Sequence, residues 1–300
     1  MQGRIPGRPR QSPKAAPAAN ASAHQVRLAR RNKAKQTQAN KRASLISAAR
    51  LFNGVDGAPR IVALIPLTPD VSAKSVSLSL AQSLDLPTDS TPEFGVWKMK
   101  FVQYFLCHLS LIIVRRAERF KTSLQLIHLN HGHFYECMDA CKVADYVVFI
   151  LSPTVEVDVW GDTLLRTLQA QGLPDVVTAI PSDSSSDPKA SQGILKSLLS
   201  FIQYFVPSQS KVFDLHSTSD SLNMVRALSE GNPGDVRWRE GRSWLLGESC
   251  TWDDGILNIT GVVRGASLSA NRLVHIPKFG DFQIHKVCTF TSPSMSLIKV

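Results

Sequence analysis

Short apolar runs alternate with helix-length stretches from Pro59 to about residue 230, and this alternation restricts the fold more than any other feature of the chain. The first run, RIVALIPL, is rich in β-branched residues and is typical of a buried strand. Strands and helices that alternate in this way form a doubly wound α/β layer, a mainly parallel sheet with helices on both faces. The predicted strands are 60–67, 96–100, 124–129, 145–151, 175–180 and 211–215, and the predicted helices are 71–83, 133–143, 163–172, 194–207 and one ending near 229.

The pattern changes after the turn sequence GNPG (231–234). Three strand-like segments follow, separated by turn residues, and they are typical of the beginning of a small β-barrel. These segments are RSWLL (242–246), ILNITGVVRG (256–265) and RLVHIP (272–277). The predicted organisation is an α/β domain over 59–230, an incomplete β-barrel domain over 235–287 and an irregular tail over 288–300. This is the layout of translational GTPases.

The excess of basic residues is concentrated at the N-terminus. The chain has 34 Lys and Arg against 24 Asp and Glu, a net charge of +10, and residues 1–50 hold 12 of the basic residues and no acidic residue. Because 43% of the residues are hydrophobic, the remainder can bury a core, which excludes a wholly disordered chain. A basic tail on a near-neutral body favours a polyanionic partner, most often nucleic acid; a solubilising or import tail is the alternative.

Two segments make up this basic region. Residues 1–24, rich in Pro, Ala, Gly and Ser, are predicted to be disordered, whereas residues 25–53 are rich in helix formers and are predicted to be a basic helix. Residues 30–43 lack large apolar side chains opposite the charge, so RNA is a better partner than a membrane surface. The predicted RNA-binding residues are Arg27, Arg30, Arg31, Lys33, Lys35, Lys41 and Arg42.

Cysteine usage and apolar segments favour a reducing compartment. The five cysteines are too few and too scattered for a disulfide framework, and the chain has neither an N-terminal apolar signal nor a run of 18 apolar residues. We therefore expect a cytosolic or nuclear protein without a simple membrane span.

The turn after the first strand is where a GTPase carries its phosphate-binding loop, G-x-x-x-x-G-K-[ST]. There the glycines let backbone N–H groups reach the phosphates, the lysine neutralises charge, and Ser or Thr binds magnesium. In this chain Thr68 and Ala73 replace both glycines. Pro69 removes an N–H donor, and Asp70 adds negative charge where the phosphates would lie. The motif residues that remain are Lys74 and Ser75.

The other two GTPase motifs are also incomplete. The magnesium-binding D-x-x-G motif becomes LNHG (129–132), which keeps Gly132 but has Leu129 in place of the aspartate. The base-reading N-K-x-D motif is reduced to Asp183. We infer a GTPase-shaped scaffold with little or no nucleotide chemistry, and therefore no catalytic residues and no cofactor.

Three other groups of polar or aromatic residues favour structural roles. His133, Cys137 and Cys141 align along one helix face with His131 nearby, but zinc sites usually use paired turn ligands, so buried core side chains are the favoured interpretation and no metal is expected.

The acidic group after strand 145–151 is typical of a solvated helix start rather than a catalytic carboxylate pair. It consists of Glu156, Asp158 and Asp162. For the tryptophans near the predicted barrel, packing is favoured over base stacking. They are Trp238, Trp244 and Trp252.

Longer stretches of the chain resemble a known family. HGHFYECMDACKVADYVVFILSP (131–153), WGD (160–162) and AQGLPDVV (170–177) resemble the degenerate GTPase domain of the Bms/Tsr ribosome-assembly family. The stretches WREGRSWLLGES (238–249) and LNITGVVRGASLSANRLVHIPKFGDFQIHKV (257–287) are similar to the second domain of that family. The Bms branch keeps a recognisable phosphate-binding loop, so the chain is most similar to the Tsr branch, named for twenty-S rRNA accumulation. The resemblance covers about residues 25–100 and 118–287, the N-terminal part of the family pattern.

The resemblance implies a fold like that of a translational GTPase without working GTP chemistry. It also implies a role in maturation of the small (40S) ribosomal subunit, as a placeholder on the surface later used by translation factors. The implied partners are precursor small-subunit rRNA, pre-40S ribosomal proteins and assembly factors, with no membrane. The implied location is the nucleus and nucleolus, and also the cytoplasm on late pre-40S particles.

Two departures from the family pattern are expected to matter. The family passes almost directly from VWKMK (96–100) to ERFKTSLQL (118–126), without the apolar tract 101–117, and its members continue for hundreds of residues beyond residue 300. Intron sequence read through in the gene model is a hypothesis that explains both departures. Sequencing the transcript tests it, because a spliced message that encodes 101–117 contradicts the hypothesis for that tract.

Two other functions stay open at this point. One is an active GTP-binding assembly GTPase, which a nucleotide titration would identify. The other is a translation-factor-like module that binds mature ribosomes, which localisation would identify, since an assembly factor visits the nucleus and nucleolus.

Overall fold

A computed structural model describes residues 23–52, 58–86, 95–100, 123–181, 188–231, 233, 241–253, 255–289 and 295–299. The chain divides into two compact units, Met1–Ala48 and Ala49–Val300. The basic helix predicted from the sequence is α1, Ala23–Phe52, and its residues 23–48 are the described part of the first unit. None of the helices within the described ranges is both long and apolar enough to cross a membrane.

The second unit begins with the predicted α/β layer. Its strands are β1 (Arg60–Pro66), β2 (Gly95–Lys100), β3 (Ser123–His128), β4 (Tyr146–Ile150), β5 (Asp175–Ile180) and β6 (Val212–Asp214). Its helices are α2 (Ala73–Ser83), α3 (Phe134–Val143), α4 (Val159–Gln171), α5 (Pro188–Phe205) and α6 (Thr218–Glu230). The strands form one sheet in the order β2-β3-β1-β4-β5-β6, in which β2 alone is antiparallel to its neighbour. The prediction of a mainly parallel α/β sheet is therefore confirmed.

Every residue of β1 is buried, because helices cover both faces of the sheet. Val62 and Leu64 pack against α2 and α6, whereas Ile61, Ala63 and Ile65 belong to a second cluster with α3, α4 and α5. A central parallel strand buried on both faces requires the near-continuous apolar run that the sequence has here.

Two helices begin earlier than the sequence pattern predicts. Helix α4 begins at Val159 rather than near residue 163, because the Asp158 side chain accepts a hydrogen bond from the Gly161 N–H at 2.8 Å and caps the helix. Helix α5 begins at Pro188, a residue suited to the first turn of a helix, rather than near residue 194. The acidic residues after β4 thus do lie at a helix start.

Antiparallel strands follow the α/β layer. They are β7 (Ser243–Asp253), β8 (Ile256–Gly265), β9 (Leu273–Ile276), β10 (Gly280–Gln283), β11 (Lys286–Thr289) and β12 (Met295–Lys299). Four of them form a sheet in the order β11-β12-β8-β7, and β9 and β10 form a hairpin. The prediction of an irregular tail over 288–300 was wrong, because β12 lies between β8 and β11 in this sheet. This strand depends on backbone pairing with β8, more than 30 positions earlier, and local side-chain pattern does not show such pairing.

The β7–β8 pair packs directly on the α/β layer. Val262 is buried in the cluster beneath α3, and Trp244 and Leu246 pack against the same cluster. At the edge of this contact the Arg264 guanidinium donates to both carboxylate oxygens of Asp145, at 3.1 and 3.0 Å, and to the Pro59 carbonyl at 2.7 Å. The antiparallel sheet is therefore attached to the α/β layer by apolar packing and by a buried ion pair.

Candidate functional site

The candidate site lies at the carboxyl-terminal edge of the parallel strands, where open α/β sheets bind their ligands. The loop that corresponds to a phosphate-binding loop runs from the end of β1 to the start of α2. Its last residue, Ser72, caps α2 by accepting a hydrogen bond from the Ser75 N–H at 3.2 Å. The Ser75 hydroxyl, which would bind magnesium in a GTPase, donates to the Ser72 carbonyl at 2.8 Å. Lys74, the other remaining motif residue, is half-buried in the first turn of α2.

A side-chain hydrogen bond crosses this edge between two loops. The Ser152 hydroxyl, just after β4, donates to the Asp70 carboxylate at 2.5 Å. The same hydroxyl oxygen accepts from the backbone N–H groups of Thr154 and Val155, each at 3.1 Å. Asp70 therefore does more than add charge to the former phosphate loop, because its carboxylate ties that loop to the loop after β4.

Close packing between helix α4 and the loop after β1 further limits the space at the carboxyl-terminal edge of the sheet. A β-carbon built on Gly161, in the first turn of α4, would lie 2.5 Å from the Val157 side chain and 2.9 Å from the Leu67 carbonyl oxygen. Thr68, which stands where the first motif glycine would be, is fully buried. The loop and helix α4 are thus in direct contact at the point where a GTPase loop would open around phosphate.

In the segment that corresponds to the magnesium-binding switch, a buried leucine stands where a GTPase has its aspartate. Leu129 is 3% exposed, and its N–H donates to the Leu64 carbonyl at 3.3 Å. Gly132 has φ +89°, a left-handed conformation that glycine adopts readily. Between them, the His131 ring lies 4.2 Å from the Trp160 ring, and its Nε2 atom lies 3.5 Å from the Asp158 carboxylate. Aromatic packing against α4 therefore holds this turn.

These residues do not fit a bound nucleotide and magnesium. A carboxylate stands in the phosphate loop, the remaining serine is bonded to its own helix cap, and the switch aspartate is a buried leucine. Asp183, the remaining base-reading residue, lies outside the described residues. Within the described part of the chain, no group of three or more His, Cys, Asp or Glu side chains is arranged to hold a metal ion.

The His/Cys segment is divided between the core and the surface. Cys137 and Cys141 are fully buried on the inner face of α3, and burial raises the pKa of the Cys137 thiol to about 12. His133 lies at the exposed start of α3, where its Nδ1 atom is 2.7 Å from Glu136 Oε2. The favoured interpretation of the two cysteines as core side chains is confirmed.

Helix α3 is also the main contact of the α/β layer with the antiparallel strands. At its start, the Lys278 ammonium, in the β9–β10 hairpin, lies 2.6 Å from Glu136 Oε1. At its end, the Lys142 ammonium lies 5.6 Å from the centre of the Trp244 ring. Hydrogen bonds from Lys278 and then from His133 hold the pKa of Glu136 below its ordinary value. Both ends of the helix that follows the switch segment are therefore held by the second domain.

The tryptophans differ in environment. Trp244 packs at the domain contact as predicted, and Trp238 lies outside the described residues. For Trp252 the packing interpretation was wrong, because its side chain is 68% exposed. It lies at the distal end of β7, where residues 249–253 are all exposed.

The predicted RNA-binding residues lie on α1. Five of them are described as exposed side chains: Arg27, Arg30, Arg31, Lys33 and Lys35. Lys41 and Arg42 continue the same helix, and their side chains lie outside the described residues. Because α1 contains no acidic residue, its positive charge is not offset within the helix.

Sequence reasoning missed the residues that close the site and attach the second domain. Asp70 and Ser152 are 82 positions apart, and Asp145 and Arg264 are 119 positions apart. Of these residues, Asp70 alone could have been noticed from the sequence, because a GTPase tolerates no negative charge at that position of the phosphate-binding loop.

Comparison with known proteins follows the same division of the chain. A family model described as "Tsr1, G-like domain" matches residues 60–230, and one described as "AARP2CN (NUC121) domain" matches residues 232–293. These two matches cover the α/β layer and most of the antiparallel strands.

Curated relatives carry consistent names. The chain is 39% identical over 259 residues to the "Ribosome biogenesis protein tsr1" of Schizosaccharomyces pombe, which covers 86% of this chain and 31% of that protein. It is 29% identical over 269 residues to the human "Pre-rRNA-processing protein TSR1 homolog", which covers 87% of this chain and 32% of that protein. The chain thus spans about a third of the length of these relatives.

Among solved structures, a bacterial selenocysteine-specific elongation factor, EF-Sec, superposes with a TM-score of 0.50 at 12% sequence identity. The match covers 80% of this chain and 42% of that protein. This similarity concerns the fold alone: the α/β layer with its parallel sheet resembles that of a translation factor.

Proposed function

The chain belongs to the Tsr1 family, and from this premise we propose that it is a ribosome-biogenesis factor that binds precursor particles of the small (40S) subunit. The observation that carries the proposal is the Tsr1 G-like match over 60–230, together with relatives named for ribosome biogenesis and pre-rRNA processing. The proposed partners are precursor small-subunit rRNA and the proteins of the pre-40S particle. The proposed location is the nucleus and nucleolus, and the cytoplasm on late particles.

The protein acts as a placeholder without GTP chemistry. Its α/β layer has the shape of a translation-factor domain, so it can occupy the ribosomal surface that translation factors use later. The Asp70–Ser152 bond and the buried Leu129 support the absence of a nucleotide cofactor and of catalysis. The antiparallel sheet of β7, β8, β11 and β12 is the beginning of the β-barrel that follows the G domain in translation factors.

Helix α1 supplies the main contact with RNA. Thirty residues of helix are about 45 Å long, and the helix carries seven basic residues between positions 27 and 42. Arg and Lys contacts to phosphates give an affinity that falls steeply with salt, whereas RNA shape supplies selectivity.

In-cell RNA crosslinking followed by sequencing tests this function, with the chain tagged at its C-terminus. We expect reads concentrated on small-subunit precursor rRNA, and a loss of those reads when the seven basic residues are changed to Ala. The matched control exchanges Arg and Lys at the same seven positions and should keep the reads. Reads spread over mature ribosomes, or no reads, would contradict the proposed function.

A further inference from the structure

Two exposed aromatic side chains flank one ion pair at the junction of α3 and the β9–β10 hairpin. Tyr135 is 79% exposed and precedes Glu136, and Phe279 is 77% exposed and follows Lys278. Because Glu136 and Lys278 are paired at 2.6 Å, the segments that carry the two rings are neighbours although the rings are 144 positions apart in the chain. We call Tyr135 and Phe279, with the ion pair between them, the aromatic patch.

The aromatic patch is held in place before any partner arrives. At the hairpin tip the Phe279 N–H donates to the Ile276 carbonyl at 3.0 Å. Lys278 has φ +70°, a left-handed conformation that non-glycine residues rarely adopt. The ion pair to Glu136 connects this tip to α3.

The charges around the patch favour an anionic partner. Glu136 is half-buried, and its two carboxylate oxygens already contact Lys278 and His133, so its negative charge is compensated. The one acidic residue of the hairpin, Asp281, is 2.8 Å from His275. At the base of the hairpin, Arg272 and Lys286 are both exposed. The hairpin thus combines an exposed ring at its tip with exposed basic groups at its base.

We propose that the aromatic patch binds unpaired RNA, with Phe279 and Tyr135 stacking on bases and Arg272 and Lys286 contacting phosphates. Exposed aromatic rings beside basic groups are the arrangement that single-stranded nucleic acid requires, since every base offers a face for stacking. A duplex has its bases already stacked and offers the rings no such face. This inference rests on the proposed function for the source of the RNA, and it adds a second RNA-binding surface that is independent of α1.

Fluorescence anisotropy with a labelled 12-nucleotide unpaired RNA, and with a duplex of the same sequence, tests the inference. The full chain is used with the seven basic residues of α1 changed to Ala, so that the patch contributes most of the remaining affinity. Phe279→Ala and Tyr135→Ala are each expected to weaken binding of unpaired RNA about 5-fold or more, and to leave duplex binding unchanged. The control is Trp252→Ala, which removes an equally exposed ring outside the patch and should change neither affinity.

Ultraviolet crosslinking and mass spectrometry of the same complexes locate the contact. We expect a nucleotide attached to the peptide that contains Phe279. Unchanged affinity in both patch variants, or an equal loss in the Trp252 control, would overturn the inference. So would crosslinks of the RNA to other peptides with none on the peptides that contain Phe279 or Tyr135.

Failure of the inference and failure of the proposed function give different results. If the in-cell reads map to precursor rRNA while the patch variants bind RNA normally, the inference alone is wrong. If the patch binds unpaired RNA while the in-cell reads miss precursor rRNA, the proposed function is wrong and the patch serves another RNA.

Discussion

The two edges of the parallel sheet differ in where their polar groups lie. Those at the amino-terminal edge are buried in the fold, whereas those at the carboxyl-terminal edge join two loops near the surface. At the amino-terminal edge, Arg60 is 3% exposed and donates to the Tyr146 hydroxyl and to the Leu228 and Gly231 carbonyls. At the carboxyl-terminal edge, where a GTPase binds nucleotide, the Asp70 carboxylate is exposed on one side and bonded to Ser152 on the other.

The amino-terminal edge also attaches the second domain. Asp145 is 5% exposed and accepts from the Ile61 N–H at 2.8 Å and from Arg264. The buried charged side chains Arg60 and Asp145 thus join elements of the fold. One sheet therefore uses its polar groups for internal packing at one edge and for a bond between two surface loops at the other.

The largest expected effect is at the amino-terminal edge. Arg264→Met leaves the Asp145 carboxylate buried without its cation, and should lower the free energy of unfolding by about 3 kcal/mol. The matched control is Arg166→Met, which breaks an exposed ion pair with Asp162 and should have a much smaller effect, because solvent screens that pair. Urea unfolding measures both, and equal effects would contradict a structural role for the buried pair.

The next effect is at the carboxyl-terminal edge. Gly161→Ala forces a methyl group against Val157 and the Leu67 carbonyl, and should lower the free energy of unfolding by about 2 kcal/mol. Gly193→Ala, in α5, meets nothing within 4 Å and should instead raise it, by up to about 1 kcal/mol. Thermal unfolding measures both variants, and a Gly161→Ala variant as stable as wild type would contradict the close packing at this edge.

A smaller effect concerns the hydrogen bond between the two loops. Asp70→Ala should lower the free energy of unfolding by about 1 kcal/mol, because it removes the acceptor of the Ser152 hydroxyl. In a double-mutant cycle with Ser152→Ala, the coupling energy should be of the same size. Additive effects would mean that the bond does not close the edge in solution.

The smallest effect involves the ion pair between α3 and the hairpin. Lys278→Met should lower the free energy of unfolding by about 0.5 kcal/mol at pH 7, since Lys278 is exposed. Because the pair lowers the folded-state pKa of Glu136, its contribution is complete above the unfolded-state pKa of about 4.5 and is lost as pH falls through the folded-state value. A difference between wild type and variant that persists at pH 2 would contradict this assignment.

The sequence predicted the α/β layer well because its signals are local. The strands β1, β4 and β5 are short, mostly apolar runs, and the β1 run needs no distant partner to be recognised. The basic helix α1 was equally recognisable, since its sequence has many basic residues and helix formers and no acidic residue.

The features that the sequence did not predict depend on contacts between residues far apart in the chain. The strand β12 could not be predicted because its pairing partner β8 lies far away in the chain and its own pattern is weak. The closure of the phosphate edge required Asp70 and Ser152 to be placed together, and the aromatic patch required Tyr135 and Phe279 to be left uncovered by the fold. Sequence patterns give the type of an element more readily than the exposure of one side chain.

We propose that this fold keeps the shape of a GTPase without a working nucleotide site. Titration of the purified chain with a fluorescent GTP analogue, in the presence of magnesium, is the decisive test. We predict no saturable binding up to millimolar concentrations of the analogue. Saturable binding at micromolar concentrations that is abolished by Lys74→Ala would contradict the claim.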